Sequence, residues 1–316
     1  MKQKIILDTD IGDDIDDALA LLLLLKFDCA DLIGVTTVFR NTCLRARLAK
    51  HILHLAGRKD IPVYAGYGNP LAGEADQQAG FVQYTPELDD AELCPDNLDP
   101  RNAEEAVSFL VRSAKKYGSD LTILAIGPYT NLARACSADP EAFSSCRIVL
   151  MGGCFYEQFI EYNVQMDPEA CDVLLKSKLP LRFIGADVTW KAMLNDAQTR
   201  AVLSIESPDL RGYCAGLVRL WKRNCWFNPV LHDPLAVYYV LDESICEMEE
   251  VWTEVELNGA HTRGFTVNMD RVYKYLENKT PGKRRVLCAR TVNAERFIRI
   301  FLEKTFELRE VSGLQY

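Results

Sequence analysis

The sequence predicts an α/β fold: a single domain over residues 1–316 with a central, mainly parallel sheet flanked by helices, Rossmann-like in plan. Two observations predict it. Short β-branched and leucine-rich runs alternate with segments of helical length through the first 190 residues, the pattern of parallel strands covered on both faces. No internal repeat, linker or low-complexity stretch divides the chain, and 316 residues at 48% hydrophobic content can bury one large core.

The strands are expected at 4–7, 32–38, 63–65, 121–126, 147–151 and 181–184, with helices between them at 16–27, 44–56, 103–117, 131–138 and 168–177. Beyond residue 196 the pattern is helical to 226. A helix at 233–240 follows, then strand-like runs at 251–257 and 265–267 and a last helix at 293–304. Residues 69–101 are polar and rich in Gly, Pro and Asp, longer than an ordinary connection, and read as an active-site flap.

Composition excludes several function classes. A formal net charge of -9 opposes phosphate-neutralising contact with nucleic acid or anionic membrane. The apolar run 18–25 falls far short of the roughly 20 residues that span a bilayer, and the amino terminus meets Asp8 and Asp10 before a secretory leader can form, so a cytoplasmic protein is expected. Eleven cysteines, scattered and without a CxxC pair, suit reduced thiols rather than zinc ligands.

The chemistry concentrates where the first strand meets the first helix. Asp8, Asp10, Asp13, Asp14, Asp16 and Asp17 crowd into DTDIGDDIDD. Carboxylates a few ångströms apart raise one another's pKa until a cation or proton intervenes, so a hard divalent metal with oxygen ligands is the natural partner. In such folds the ligand crevice lies beyond the carboxyl ends of the strands, where Asn41 also falls. A strand-end Asp-x-Asp is also the mark of phosphotransferases, with Asp8 as nucleophile and Asp10 as acid. That motif favours Thr or Val where Gly12 stands.

The strand followed by Asp-x-Asp-x-Gly and an Asp-Asp-Ala helix start resembles the inosine-uridine nucleoside hydrolase family. The resemblance continues through VTTVFRN (35–41), LAIGPYTNL (124–132), the Met-Gly-Gly at 151–153, EYNVQMDPEA (161–170), HDPLA (232–236) and TRGFTV (262–267), six blocks in matching order. It implies calcium-dependent hydrolysis of the N-glycosidic bond of a small-molecule nucleoside, on a nucleoside hydrolase fold assembled as a homodimer or homotetramer. It also implies that Asp10, Asp17, Asp233 and the Ile126 carbonyl bind Ca²⁺, that Asp10 is the general base, and that Asp16, Asn41, Glu161 and Asn163 clamp the ribose.

His232, beside Asp233, is placed to protonate or contact the departing base. Trp221, Trp226 and Phe227, and Phe81 and Tyr84 in the flap, are candidates to stack on that base, with core packing as the alternative. The chain departs from the family pattern in three places. Two extra residues bring Asp13 and Asp14 into the acidic turn, the segment after Gly153 is short and lacks a ribose-contacting asparagine, and the flap lacks a histidine. A calcium-dependent nucleoside or sugar binder without catalysis is the alternative that keeps the same residues.

Overall fold

A computed structural model describes residues 2–99, 101–273 and 285–309. The chain begins with β1 (Gln3–Thr9), α1 (Asp16–Leu24), β2 (Ala30–Thr37), α2 (Thr42–Leu55) and β3 (Val63–Ala65). A long loop leads to α3 (Glu104–Tyr117), β4 (Leu121–Ala125), α4 (Thr130–Ala138) and β5 (Arg147–Met151). Next come α5 (Tyr162–Met166), α6 (Pro168–Lys176), β6 (Leu181–Ile184), α7 (Ala186–Thr189), α8 (Asp196–Leu203), α9 (Leu210–Lys222) and α10 (His232–Leu241). The described chain closes with β7 (Cys246–Val251), β8 (Thr253–Val255), β9 (Thr266–Asn268), α11 (Met269–Val272), β10 (Val286–Val292) and α12 (Ala294–Phe306).

Eight strands form one sheet in the order β3-β2-β1-β4-β5-β6-β10-β7, parallel except for β7, which runs antiparallel to β10; β8 and β9 form a separate antiparallel pair. Period-two alternation divides the core. Ile5 and Leu7 of β1 face the layer that holds α1, α2, α9, α10 and α12, whereas Ile6 faces α3, α4 and α6. Helix α1 is buried on every side, which its DDALALLLL sequence permits because only its first turn is polar. Helix α3 is the opposite case: Ala106, Val107, Leu110 and Ala114 form one buried stripe, and the chain turns away at Gly118.

The expected α/β order is the one observed, with local differences. The helical stretch 196–226 is two helices, α8 and α9, separated at Ser207–Pro208. The strand-like run 251–257 is divided between β7 and β8, and both β7 and β10 extend the main sheet where no strand was expected. Strand β7 reads CEMEEV; glutamates suit an exposed edge strand, where charge discourages further pairing, but they disguise it as a loop.

The chain runs outward from β1 through β2 to β3, then returns so that β4 lies on the other side of β1. The connections leaving β1 and β4 therefore diverge, opening a crevice at their carboxyl ends. Asp10 follows β1 and Ile126 follows β4 into that crevice.

Candidate active site

A cavity of about 550 Å³ occupies the crevice, within the size range of small-molecule sites. One side is acidic. Asp16 and Asp17 stand in the first turn of α1 and Asp233 in the first turn of α10, two helix N-termini whose dipoles favour negative charge. The three buried side chains offer oxygens within 4.8 Å of one another.

The trio is braced from behind. The Asp233 N–H donates to Asp16 Oδ2 at 3.2 Å, the Thr9 hydroxyl donates to Asp17 Oδ1, and Thr9 Oγ1 accepts the Ile11 N–H. Burial pushes all three carboxyls well above the usual range, and repulsion adds to it: Asp14 acts on Asp16, Asp10 on Asp17 and Asp16 on Asp233. Such a donor set fits a hard dication, whose charge would remove the repulsion that protonation otherwise relieves.

Asp10 faces the same cavity, its carboxyl pushed up to about 7 by burial, with Arg45 opposing the shift and Asp13 and Glu161 reinforcing it. Arg45 is 1% exposed and holds this turn together: it donates to the Asp10 and Ile11 carbonyls, to Phe39 O and to Asp13 Oδ2. A guanidinium can do this because its five donors are fixed in a planar fork.

Glu161 and Asn163 reach the cavity from the start of α5. Glu161 accepts the Gly153, Asn163 and Val164 N–H groups at 2.9, 2.8 and 3.1 Å, so three amides fix its carboxylate. Gly152, at φ 150, makes room for this: a Cβ there would lie 2.0 Å from the Tyr129 hydroxyl. Asn163 Nδ2 donates to the Ile126 carbonyl at 2.7 Å, leaving that oxygen a second lone pair.

Another part of the wall is aromatic. Trp190, Trp221 and Phe227 line it, with Phe227 5.5 Å from Trp221 and 6.3 Å from Trp190 between ring centroids. His232 stands edge-on to Trp190 at 5.1 Å, and its Nδ1 lies 2.6 Å from the Thr189 hydroxyl. Gly80 and Val82 of the long loop complete the rim, so part of the segment expected to be a flap does meet the cavity.

The structure thus brings Asp10, Asp16, Asp17, Ile126, Glu161, Asn163, His232 and Asp233 to one cavity. Asp16, expected on the ribose, stands in the tight carboxylate trio, whereas Asp10 lies beside it. Asn41 does not line the cavity. It is exposed and caps α2, its Oδ1 accepting the Leu44 N–H, and Arg40 reaches the cavity in its place.

Of the aromatic candidates Trp221 and Phe227 line the wall, Trp226 is 92% exposed outside it, Phe81 presses on Gly12, and Tyr84 bonds Asp89. Tyr162, Phe159 and Trp190 line the cavity but were not singled out in the sequence. Their position after β5 and β6 was the available signal. Asp8 is fully buried, with Oδ1 taking the Thr36 hydroxyl and the Asn131 amide, which leaves it no access to a phosphoryl group. Among the described residues no helix is long and apolar enough to cross a membrane.

The chain is similar over most of its length to named proteins. It is 34% identical to a pyrimidine-specific ribonucleoside hydrolase RihA of Shewanella woodyi, covering 84% of this chain and 88% of that protein. It is 30% identical to a probable uridine nucleosidase 2 of Arabidopsis thaliana, covering 97% and 98%. Among solved structures, a plant nucleoside hydrolase, PpNRh1, superposes with a TM-score of 0.81 at 25% identity, covering 96% of this chain and 99% of that one. A purine-preferring ribonucleoside hydrolase from Gardnerella vaginalis gives 0.78 at 27%, covering 98% and 100%. The family profile described as inosine-uridine preferring nucleoside hydrolase matches residues 5–299, and with this cavity at the switch point of its sheet the chain belongs to that family of hydrolases acting on N-glycosyl compounds.

Proposed function

We propose that the protein cleaves ribonucleosides to free base and ribose in a calcium-dependent reaction in which Asp10 is the general base. One observation carries this reading: a buried carboxylate cluster and aromatic side chains line the same cavity. Asp16, Asp17 and Asp233, with Asp10 and the Ile126 carbonyl on the cavity side, are the oxygen donors for the ion, and calcium accepts six to eight such ligands. When bound, the ion supplies Lewis-acid activation of water and a template for the ribose diol.

The chain's own residues do the rest. Glu161 and Asn163 hold the ribose hydroxyls, and the carboxylates stabilise positive charge as the glycosidic bond lengthens. The aromatic wall stacks the base and excludes water from one face. Asp10 takes the proton of the attacking water, as the base does in inverting glycoside hydrolysis, and His232 meets the departing base. The names of the relatives in Shewanella woodyi and Arabidopsis thaliana support pyrimidine ribonucleosides, uridine first, as substrates.

The test is ribose release from uridine, cytidine, inosine and adenosine, with and without a calcium chelator. Calcium-dependent release is expected, with kcat lowered by ~10²-fold or more in Asp10→Asn. Nucleoside binding without any ribose release by the wild type would replace this reading with a non-catalytic binder.

A further inference from the structure

Asp14 belongs to the two-residue extension of the acidic turn, and neither the carboxylate trio nor Asp10 accounts for it. The residue is exposed and lines the cavity. Its charge acts on Asp16 and Asp233, so it borders the carboxylate trio, and Trp221, Cys225 and Phe227 line the same cavity. The Trp221 side chain counters the rise that burial gives the Asp14 carboxyl, and the Asp14 charge raises the Cys225 thiol.

Its position is enforced from outside the turn. The Val82 and Gln83 N–H groups donate to Gly12 O at 3.0 and 3.2 Å, and Gln83 Nε2 donates to Asp14 O at 2.5 Å. Gln83 is fully buried, so the long loop clamps the backbone of the turn while leaving the Asp14 side chain toward the cavity. One Asp14 oxygen takes the Ile15 N–H at 2.7 Å. A carboxylate has about four acceptor sites, which leaves capacity for a ligand donor beside the tryptophan.

We propose that Asp14 is a base-recognising residue: its carboxylate accepts an N–H from the polar edge of the nucleobase held against Trp221, favouring nucleosides whose base carries such a donor. This rests on the nucleoside hydrolase reading above. The acceptor is held in place by its neighbours before substrate arrives, and a site built to hydrogen-bond a substrate N–H rejects an analogue that lacks it far more strongly than an apolar pocket rejects a missing methylene.

The discriminating probe is uridine, which carries the ring N3–H, against pyrimidin-2-one riboside, in which that nitrogen is an acceptor. The ratio of their kcat/KM values is measured for the calcium-loaded wild type, Asp14→Ala and Asp14→Asn; comparing ratios between proteins cancels the intrinsic reactivity of the two substrates. The ratio is expected to fall at least ten-fold in Asp14→Ala and less in the isosteric Asp14→Asn, whose amide oxygen still accepts. A ratio unchanged within two-fold, or an equal loss on both substrates accompanied by weaker calcium binding, overturns the assignment. No release by the wild type from either substrate overturns the hydrolase reading and this assignment together. If neither variant folds, the wild type decides: a KM for pyrimidin-2-one riboside ten-fold above that for uridine supports the contact, and equal values overturn it.

Discussion

The Thr189 hydroxyl lies 2.6 Å from His232 Nδ1, which joins the short helix after β6 to the first residue of α10. The contact occupies Nδ1, which leaves Nε2 as the ring nitrogen available to a ligand in the cavity that His232 lines. A hydroxyl that donates to Nδ1 leaves the ring proton on Nε2, and burial, which lowers the His232 pKa to about 4, keeps the ring neutral, so Nε2–H acts as a hydrogen-bond donor to a departing base. Thr189→Val is therefore expected to lower kcat on uridine by ~10-fold or more with little change in KM, and Thr189→Ser to restore it. Release from 4-nitrophenyl riboside, whose leaving group needs no proton, should be unaffected. An equal loss on both substrates would mean that Thr189 serves packing alone.

Asp187, on the same helix, gathers the Phe155, Tyr156 and Glu157 N–H groups at 2.7 to 2.8 Å and lies 3.0 Å from the Cys154 thiol. It pins the short segment after β5 that delivers Phe159, Ile160 and Glu161 to the cavity. Asp187→Ala leaves those amides without their acceptor, at a cost of about 3 kcal/mol. A fall in Tm of roughly 4 °C is expected, measured with calcium present. An unchanged Tm would show that water replaces the carboxylate without loss.

Much of this was legible because parallel strands announce themselves. Asp10 could be placed in a crevice once its strand was read, since the strand-end rule needs only element order, whereas the Ile126 carbonyl entered through the family resemblance. Asp16 was harder to assign. Whether a helical carboxylate meets ribose or metal depends on α1 packing against α10, a contact between residues more than two hundred positions apart. Asn41 shows the opposite limit, because an asparagine before a helix satisfies a capping signal and a binding signal equally, and here the cap has its partner in Leu44. Thr189 and Asp187 carry no motif; their roles exist only through His232 and the loop after β5.

Gly12 sits at φ 125 with the Phe81 ring against it; a Cβ there would lie 2.1 Å from Phe81 Cε2. Gly12→Ala must therefore displace Phe81 and, with it, the Val82 and Gln83 hydrogen bonds to the Gly12 carbonyl. Both the strained backbone and the lost clamp act on the turn that carries Asp10 and Asp14. The expected outcome is a kcat/KM on uridine at least ~10-fold lower, since small misplacements of reacting groups are costly, together with faster proteolytic cleavage within residues 69–99. Wild-type kinetics in Gly12→Ala would show that the loop's position over the turn is immaterial.

The carboxylate cluster also predicts how calcium and pH act together on stability. Burial and mutual repulsion raise the folded-state pKa values of Asp16, Asp17 and Asp233, and that of Asp10 to about 7, above those of an unfolded chain. Between the unfolded and folded values the metal-free native state holds more protons than the unfolded state. Stability therefore falls as pH rises through that window, the reverse of the usual salt-bridged aspartate. A bound dication supplies the missing charge and needs the carboxylates deprotonated, so its stabilisation grows with pH. The gain in Tm on adding calcium to chelated protein should be small at pH 5 and reach about 6 °C at pH 8, when calcium stands near a thousand times its Kd. A gain that is equal at both pH values would show that the cluster is not where the ion binds, and Asp233→Asn, which removes one charge from the trio, should flatten the dependence in the same experiment.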